Sequence, residues 1–293
     1  MKQFLLRIGL FVLVLFCIDQ FFYIVVDRLP ENQVDKRVEK LIQGKINADV
    51  LILGSSRAAH NVIAEDLESL TKLKSFNLGF RGSNVSFHKF LLKNYLVKNT
   101  KLKKLIYVVD VPFMFDEKAL KFRNDVLLPF VKYSEYRNVL IENDELSKLA
   151  YFSNLARFSF SIIIKKPIQS IENYNTILGS NPLPVEKYKG LGENFVANKK
   201  EKKKKNIIHQ FIEFQTICKQ SNIELYLVIP PNNEPLDLKF VSELKQNCLP
   251  TTKFYSYKKK YFTKNNNYFY DVSHLNKNGA ALFTKEVASL LKN

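Results

Sequence analysis

The sequence predicts an α/β protein with a parallel sheet covered by helices on both faces. Short apolar runs, bounded by Gly, Pro or charged residues, recur along the chain, and helical patterns lie between them. Strands buried on both faces read as continuous apolar runs, and such runs alternating with helices build a parallel sheet. One long apolar stretch near the N-terminus adds a membrane element.

That stretch, residues 8–26, is apolar except for Gly9, Asp19 and Gln20. As a helix it spans about 28 Å, close to the ~30 Å hydrocarbon core. Lys2 and Arg7 precede it, as in a signal peptide or a signal anchor. No small residues end the run, and Val14-Leu15-Phe16 before Cys17 lacks the small residue of a lipoprotein signal. Residues 1–28 therefore read as an uncleaved single-pass membrane anchor. Lys2 and Arg7 put the remainder on the external or periplasmic side; Arg28, Lys36 and Arg37 leave the opposite orientation open. An acid at mid-bilayer costs ~2.5–3.5 kcal/mol. Asp19 either sits near the outer interface or bonds a membrane partner.

Residues 29–48 read as an amphipathic linker helix, with Val34, Val38, Leu41 and Ile42 at helical spacing. Residues 49–293 form the α/β domain. Its strands are expected at 49–53, 75–78, 105–109, 224–229 and 254–257, with Gly54, Gly79 and Pro230-Pro231 as stops. Helical patterns lie between the first two strands (Leu67, Leu70), after the second (Phe87, Phe90, Leu91, Leu96), at 207–219 and at 275–291. Residues 111–205 are too long for one crossover. They read as an inserted cap or lid, folded around apolar clusters such as 158–164 and loop-like over 180–205.

Forty-five Lys and Arg against 28 Asp and Glu give a net charge of +17, which attracts nucleic acid, membrane surface or an acidic polymer. The sharpest basic cluster is 199–205, and no nucleic-acid motif accompanies it. Three Cys are too few for a disulfide framework, although Cys218 and Cys248 would pair if close, and four His are too few for a zinc cluster.

Ligands of open parallel sheets bind beyond the carboxyl ends of the strands. Three polar motifs fall there. Gly54-Ser55-Ser56-Arg57 follows the first strand; a Ser on that turn is exposed beside main-chain N–H groups, or simply caps a helix. Asn77-Leu78-Gly79-Phe80-Arg81-Gly82-Ser83 follows the second, either cradling a bound group or forming a Gly turn with Ser83 or Asn84 as cap. Asp271-Val272-Ser273-His274 precedes the last helix. His is the usual general base near neutral pH, and an Asp three residues earlier suits its other ring nitrogen.

Together these motifs resemble the SGNH (GDSL-like) hydrolase superfamily over 49–110 and 206–291. The resemblance implies a three-layer flavodoxin-like fold, Ser56 as nucleophile, Asp271 and His274 as its partners, and the N–H groups of Ser56 and Gly82 as oxyanion donors. It implies no cofactor and no metal. The family's third block, G-x-N-D, is replaced by Val109-Asp110-Val111-Pro112. An Asp carboxylate does not donate, so a donor is missing unless Arg57 or Asn84 substitutes. The anchor, the G-S-S block, the insertion and Ile223 to Pro231 look like the DltD-like and alginate O-acetylation branch. That branch implies acyl groups on a cell-surface glycan or other anionic polymer as substrate, and a membrane-bound O-acyltransferase as partner. The expected function is a serine esterase or O-acyltransferase. A catalytically impaired accessory protein on the same fold is the alternative.

Overall fold

The structure, a computed structural model, describes residues 1–28, 35–116, 119–157, 178–186, 188–190, 204–233, 235–257, 262 and 265–292. The expected apolar cluster at 158–164, the start of the linker helix and Lys199 to Lys203 lie outside the described residues. The chain divides into two compact units: Met1–Glu39 with Arg123–Asn173, and Lys40–Phe122 with Tyr174–Asn293.

The larger unit holds β1 (Val50–Gly54), β2 (Ser75–Gly79), β3 (Lys104–Val108), β4 (Glu224–Ile229) and β5 (Lys253–Ser256). They form one parallel sheet in the order β2-β1-β3-β4-β5, the flavodoxin-like order. Val50 to Gly54, Ser75 to Gly79 and four of five residues of β3 are buried, as strands covered on both faces must be. Around the sheet lie α3 (Ser56–Asn61), α4 (Ala64–Thr71), α5 (Val85–Lys98), α9 (Lys204–Gln220), α10 (Leu238–Gln246) and α11 (Lys277–Lys292). The core joins Val50, Ile52, Ile106 and Val228 of the strands to Ala58, Leu67, Phe283 and Val287 of the helices.

The elements match the expected ones within one to three residues at most ends, with two exceptions. The pattern between the first two strands is two helices, α3 and α4. The β-branched pair Val62-Ile63 lies extended between them, and the Ile63 N–H donates to Thr284 Oγ1 at 3.0 Å. Helix α10 was not expected. It is short and buries only Phe240 and Leu244, with Asp237 as its cap (Phe240 N to Oδ1, 3.0 Å).

The smaller unit contains α1 (Lys2–Arg28), which is long and apolar enough over Lys2–Ile24 to span a membrane or serve as a signal sequence. It also contains α6 (Asn124–Leu127), α7 (Ser134–Glu142), α8 (Asn154–Arg157) and two 3-10 turns, Leu128–Phe130 and Lys148–Tyr151. Leu127, Phe130, Tyr136, Leu140 and Ala150 are buried there. The linker region is represented by α2 (Lys36–Ile42), whose residues fall partly in each unit, with Val38 and Leu41 buried.

Asp19 finds its partners within its own chain. Its carboxylate accepts from Ser153 Oγ at 2.6 Å, Asn154 Nδ2 at 2.9 Å and the Leu155 N–H at 3.0 Å. Cys218 and Cys248 are both free thiols. Burial pushes Cys218 up to about 12 and Cys248 up to about 11.

Candidate functional site

Strand order reverses between β1 and β3, which opens the crevice beyond their carboxyl ends. Gly54 ends β1 opposite Gly79 of β2 and Val108 of β3. Its φ is +144°, and a Cβ there would lie 2.5 Å from the Val108 carbonyl oxygen. A Cβ on Gly79 would meet the Ala59 nitrogen at 2.5 Å and Ala58 Cβ at 2.7 Å. The two glycines thus let α3 lie directly on the strand ends, with only the small side chains of Ala58 and Ala59 between.

Asn77, fully buried in β2, clamps α3 from below. Its Nδ2 donates to the carbonyls of Ala58 (2.8 Å) and Val62 (2.9 Å), and its Oδ1 accepts from the Gly79 N–H at 2.8 Å. The second block closes over the first: the Phe80 N–H donates to the Gly54 carbonyl at 3.0 Å. These contacts fix the start of α3.

There Ser56 faces the last block. His274 Nε2 lies 2.8 Å from Ser56 Oγ, although 218 residues separate them. His274 Nδ1 lies 2.8 Å from Asp271 Oδ2 and 3.0 Å from Oδ1. Asp271 Oδ1 also accepts the main-chain N–H groups of Ser273 (2.9 Å) and His274 (2.8 Å). Burial raises the Asp271 carboxyl, but the hydrogen bond and charge of His274, with those N–H groups, outweigh it and bring it down to about 2. Asp271 is therefore ionised at neutral pH, with Nδ1 of His274 as its donor. Nε2 is then the ring atom left to take a proton from Ser56. The loop is tied to α3 by Asn61 Oδ1, which accepts the Leu275 N–H at 3.0 Å.

The expected site residues thus separate. Ser56, His274 and Asp271 form a continuous hydrogen-bonded chain. Ser55, at the cap position of α3, does not cap the helix; its hydroxyl donates to the Asp110 carboxylate. Arg57 is buried and turns toward the loop after β4, where Nη2 donates to Pro231 O at 2.8 Å and Asn232 Oδ1 at 2.9 Å. Burial lowers its guanidinium to about 10, against the charges of Asp110 and Asp271, which raise it. Its Nε and Nη1 have no hydrogen-bond partner among the described residues. Asn84 caps α5, with Oδ1 accepting the Phe87 N–H at 3.0 Å. Gly82 has a φ of +64° and leaves open space where a Cβ would stand. Its carbonyl accepts the Lys121 N–H at 2.8 Å.

Several site-shaping residues escape sequence reasoning. His60 of α3 packs edge-on to His274, ring centroids 5.6 Å apart, and its Nδ1 lies 2.5 Å from Asn181 O. Behind the second block, Ser83 Oγ lies 2.6 Å from His88 Nε2, and His88 Nδ1 lies 2.9 Å from the Tyr107 hydroxyl. Burial drives His88 down to about 3, against a contact with the Gly54 main chain that raises it, so the ring is neutral. Ser83 ends the second motif, but the others belong to no spacing pattern. Among the described residues no three His, Cys, Asp or Glu side chains converge as metal ligands would.

No protein-family model matches the chain, and no curated protein does. The chain is similar to a solved structure of a "putative platelet activating factor" from Streptococcus pneumonia. The match has 12% identity and a TM-score of 0.46, over 93% of this chain and 97% of that one.

Proposed function

We propose that this protein is a membrane-anchored serine esterase or O-acyltransferase of the SGNH type. The observation that carries this reading is the chain from Ser56 Oγ through His274 to Asp271, at 2.8 Å on each side of the imidazole. His274 Nε2 takes the Ser56 proton as Oγ attacks an ester carbonyl carbon. Asp271, held ionised, stabilises the imidazolium that forms. The N–H groups of Ser56 and Gly82 receive the oxyanion; neither has a partner among the described residues. Collapse of the tetrahedral intermediate breaks the ester C–O bond, and His274 returns the proton to the leaving alcohol. The acyl-Ser56 intermediate then passes to water or to a sugar hydroxyl.

The acyl groups of a bacterial cell-surface polymer are the proposed substrate, with a membrane-bound O-acyltransferase as partner and no role for nucleic acid. Residues 1–28 are proposed to remain as the anchor, with 49–293 outside the cytoplasm and part of 111–205 as its cap. The three hydrogen bonds on Asp19 support retention, because cleavage of a signal segment would remove their acceptor.

A second reading, an accessory protein of the same fold, is favoured by Asp110. It lies in the block Val109-Asp110-Val111-Pro112, which holds no Asn donor, and its carboxylate accepts the Ser55 hydroxyl. Labelling by a serine-reactive fluorophosphonate separates the two. The enzyme reading expects labelling that Ser56→Ala and His274→Ala each abolish. Label that persists in Ser56→Ala removes Ser56 as nucleophile, and full complementation of a deletion strain by Ser56→Ala selects the accessory role.

A further inference from the structure

We propose that residues 149–155 enter the lipid leaflet beside α1, with Leu149, Tyr151, Phe152 and Leu155 against the acyl chains. The inference rests on α1 being a membrane span. The apolar run of α1 ends at Val26, and Asp19 lies seven residues before it, about 10 Å deeper along the axis. The hydrogen bonds from Ser153, Asn154 and Leu155 to Asp19 therefore hold the start of α8 at a depth where the helix itself faces lipid.

The side chains around that tie suit the position. Phe152 is 87% exposed and Leu149 68%, and Tyr151 and Leu155 are exposed beside them. Four large apolar residues within seven positions form a patch that water does not favour. Lys148 and Arg157 flank it, and a Tyr between apolar and basic residues is the composition of a membrane–water boundary.

The backbone also fits. Within hydrocarbon an irregular segment persists only where its polar groups find partners in the protein. Here the Phe152 and Ser153 N–H groups both donate to Leu149 O at 3.0 Å, and the Ala150 N–H to Ser147 O at 3.0 Å. The Leu155 N–H goes to Asp19, and Arg157 Nε donates to Ala150 O at 2.9 Å. Arg157 Nη1 also donates to Asn154 Oδ1 at 2.7 Å, so the amide that binds Asp19 is held from behind. The Asp19 carboxylate accepts at both oxygens, so each of the N–H groups named here enters the leaflet with a partner in the protein.

The chain contains no Trp, so a single introduced indole reports only its own surroundings. Full-length Phe152→Trp and, as reference, Val14→Trp would be reconstituted separately in phosphatidylcholine vesicles. Both are expected to emit blue-shifted, to lose emission when the acyl chains are brominated, and to resist aqueous acrylamide. Adding Asp19→Leu to Phe152→Trp is expected to return the indole to acrylamide. Quenching of Val14→Trp but not Phe152→Trp by bromolipid overturns the proposal, as does a blue-shifted Phe152→Trp that bromolipid leaves untouched, which signals a protein cover. Quenching that survives Asp19→Leu overturns the role given to Asp19. If Val14→Trp itself escapes bromolipid, the span reading fails, and the proposal with it.

Discussion

Gly79→Ala tests whether the closeness of α3 to the sheet sets the reacting geometry. The added Cβ would lie 2.5 Å from the Ala59 nitrogen, 2.7 Å from Ala58 Cβ and 2.9 Å from Ala58 C. Two of these atoms are backbone, so no side-chain rotation relieves the contact. Reaching ordinary contact near 3.4 Å requires α3 to retreat by about 0.9 Å. Overpacking of this kind costs roughly 1–3 kcal/mol. In a domain of this size that lowers Tm by roughly 2–12 °C. The same retreat carries Ser56 away from His274 Nε2, now 2.8 Å off. Misplacement by about 1 Å can cost on the order of 10²-fold in rate. The assays are a thermal melt and the rate of fluorophosphonate labelling, with Gly82→Ala as comparison. That Cβ meets nothing within 4 Å, and its φ of +64° costs only about 1–2 kcal/mol. The reasoning is refuted if Gly79→Ala melts and labels like the parent, or if Gly82→Ala is the more damaged variant in both assays.

Asp271→Asn is expected to slow labelling by on the order of 10³–10⁴-fold, because an amide can fix the wrong tautomer of His274. The Asp271 carboxyl is lower when folded, about 2, than its ordinary 3.8, so the unfolded chain binds more protons between those values. Its contribution is complete above pH ~4 and is lost as pH falls through ~2, on the order of 2 kcal/mol; acid titration of Asp271→Asn should lack that slope. Tyr107→Phe leaves a buried His88 nitrogen without its partner and should cost about 1–3 kcal/mol in urea unfolding. Asp110→Asn supplies the absent amide donor and is expected to raise the labelling rate, by up to ~10²-fold if that donor limits catalysis; an unchanged or slower rate means that the missing donor is not the limit.

The sheet was legible because both faces of β1 to β4 are covered, which turns a strand into an unbroken apolar word such as Leu225 to Ile229. The three polar motifs were legible because the carboxyl ends of parallel strands collect function. What was not legible is contact between polar residues far apart in the chain. Nothing near Asp19 points to Ser153, and nothing near His274 points to His60. The boundary between α3 and α4 was hidden because Val62 and Ile63 are apolar in a helix or outside one; only the bond to Thr284 decides. Arg57 was identified by position, whereas its partner Pro231 depends on tertiary packing; the Asn84 cap on the Phe87 N–H is local and was one of the two readings of its motif.

The 218-residue gap between Ser56 and His274 also sets a schedule. At a synthesis rate of ~5–20 residues per second, Ser56 exists for about 10–40 s before its base has been made. During that interval β1 to β4 can pair while the hydroxyl has no proton acceptor. On the proposed function, a nascent chain is therefore inert toward esters until its last helix closes on α3 and α4. On the same reading, any message truncated upstream of codon 274 yields a protein that carries Ser56 without the His274 meant to activate it.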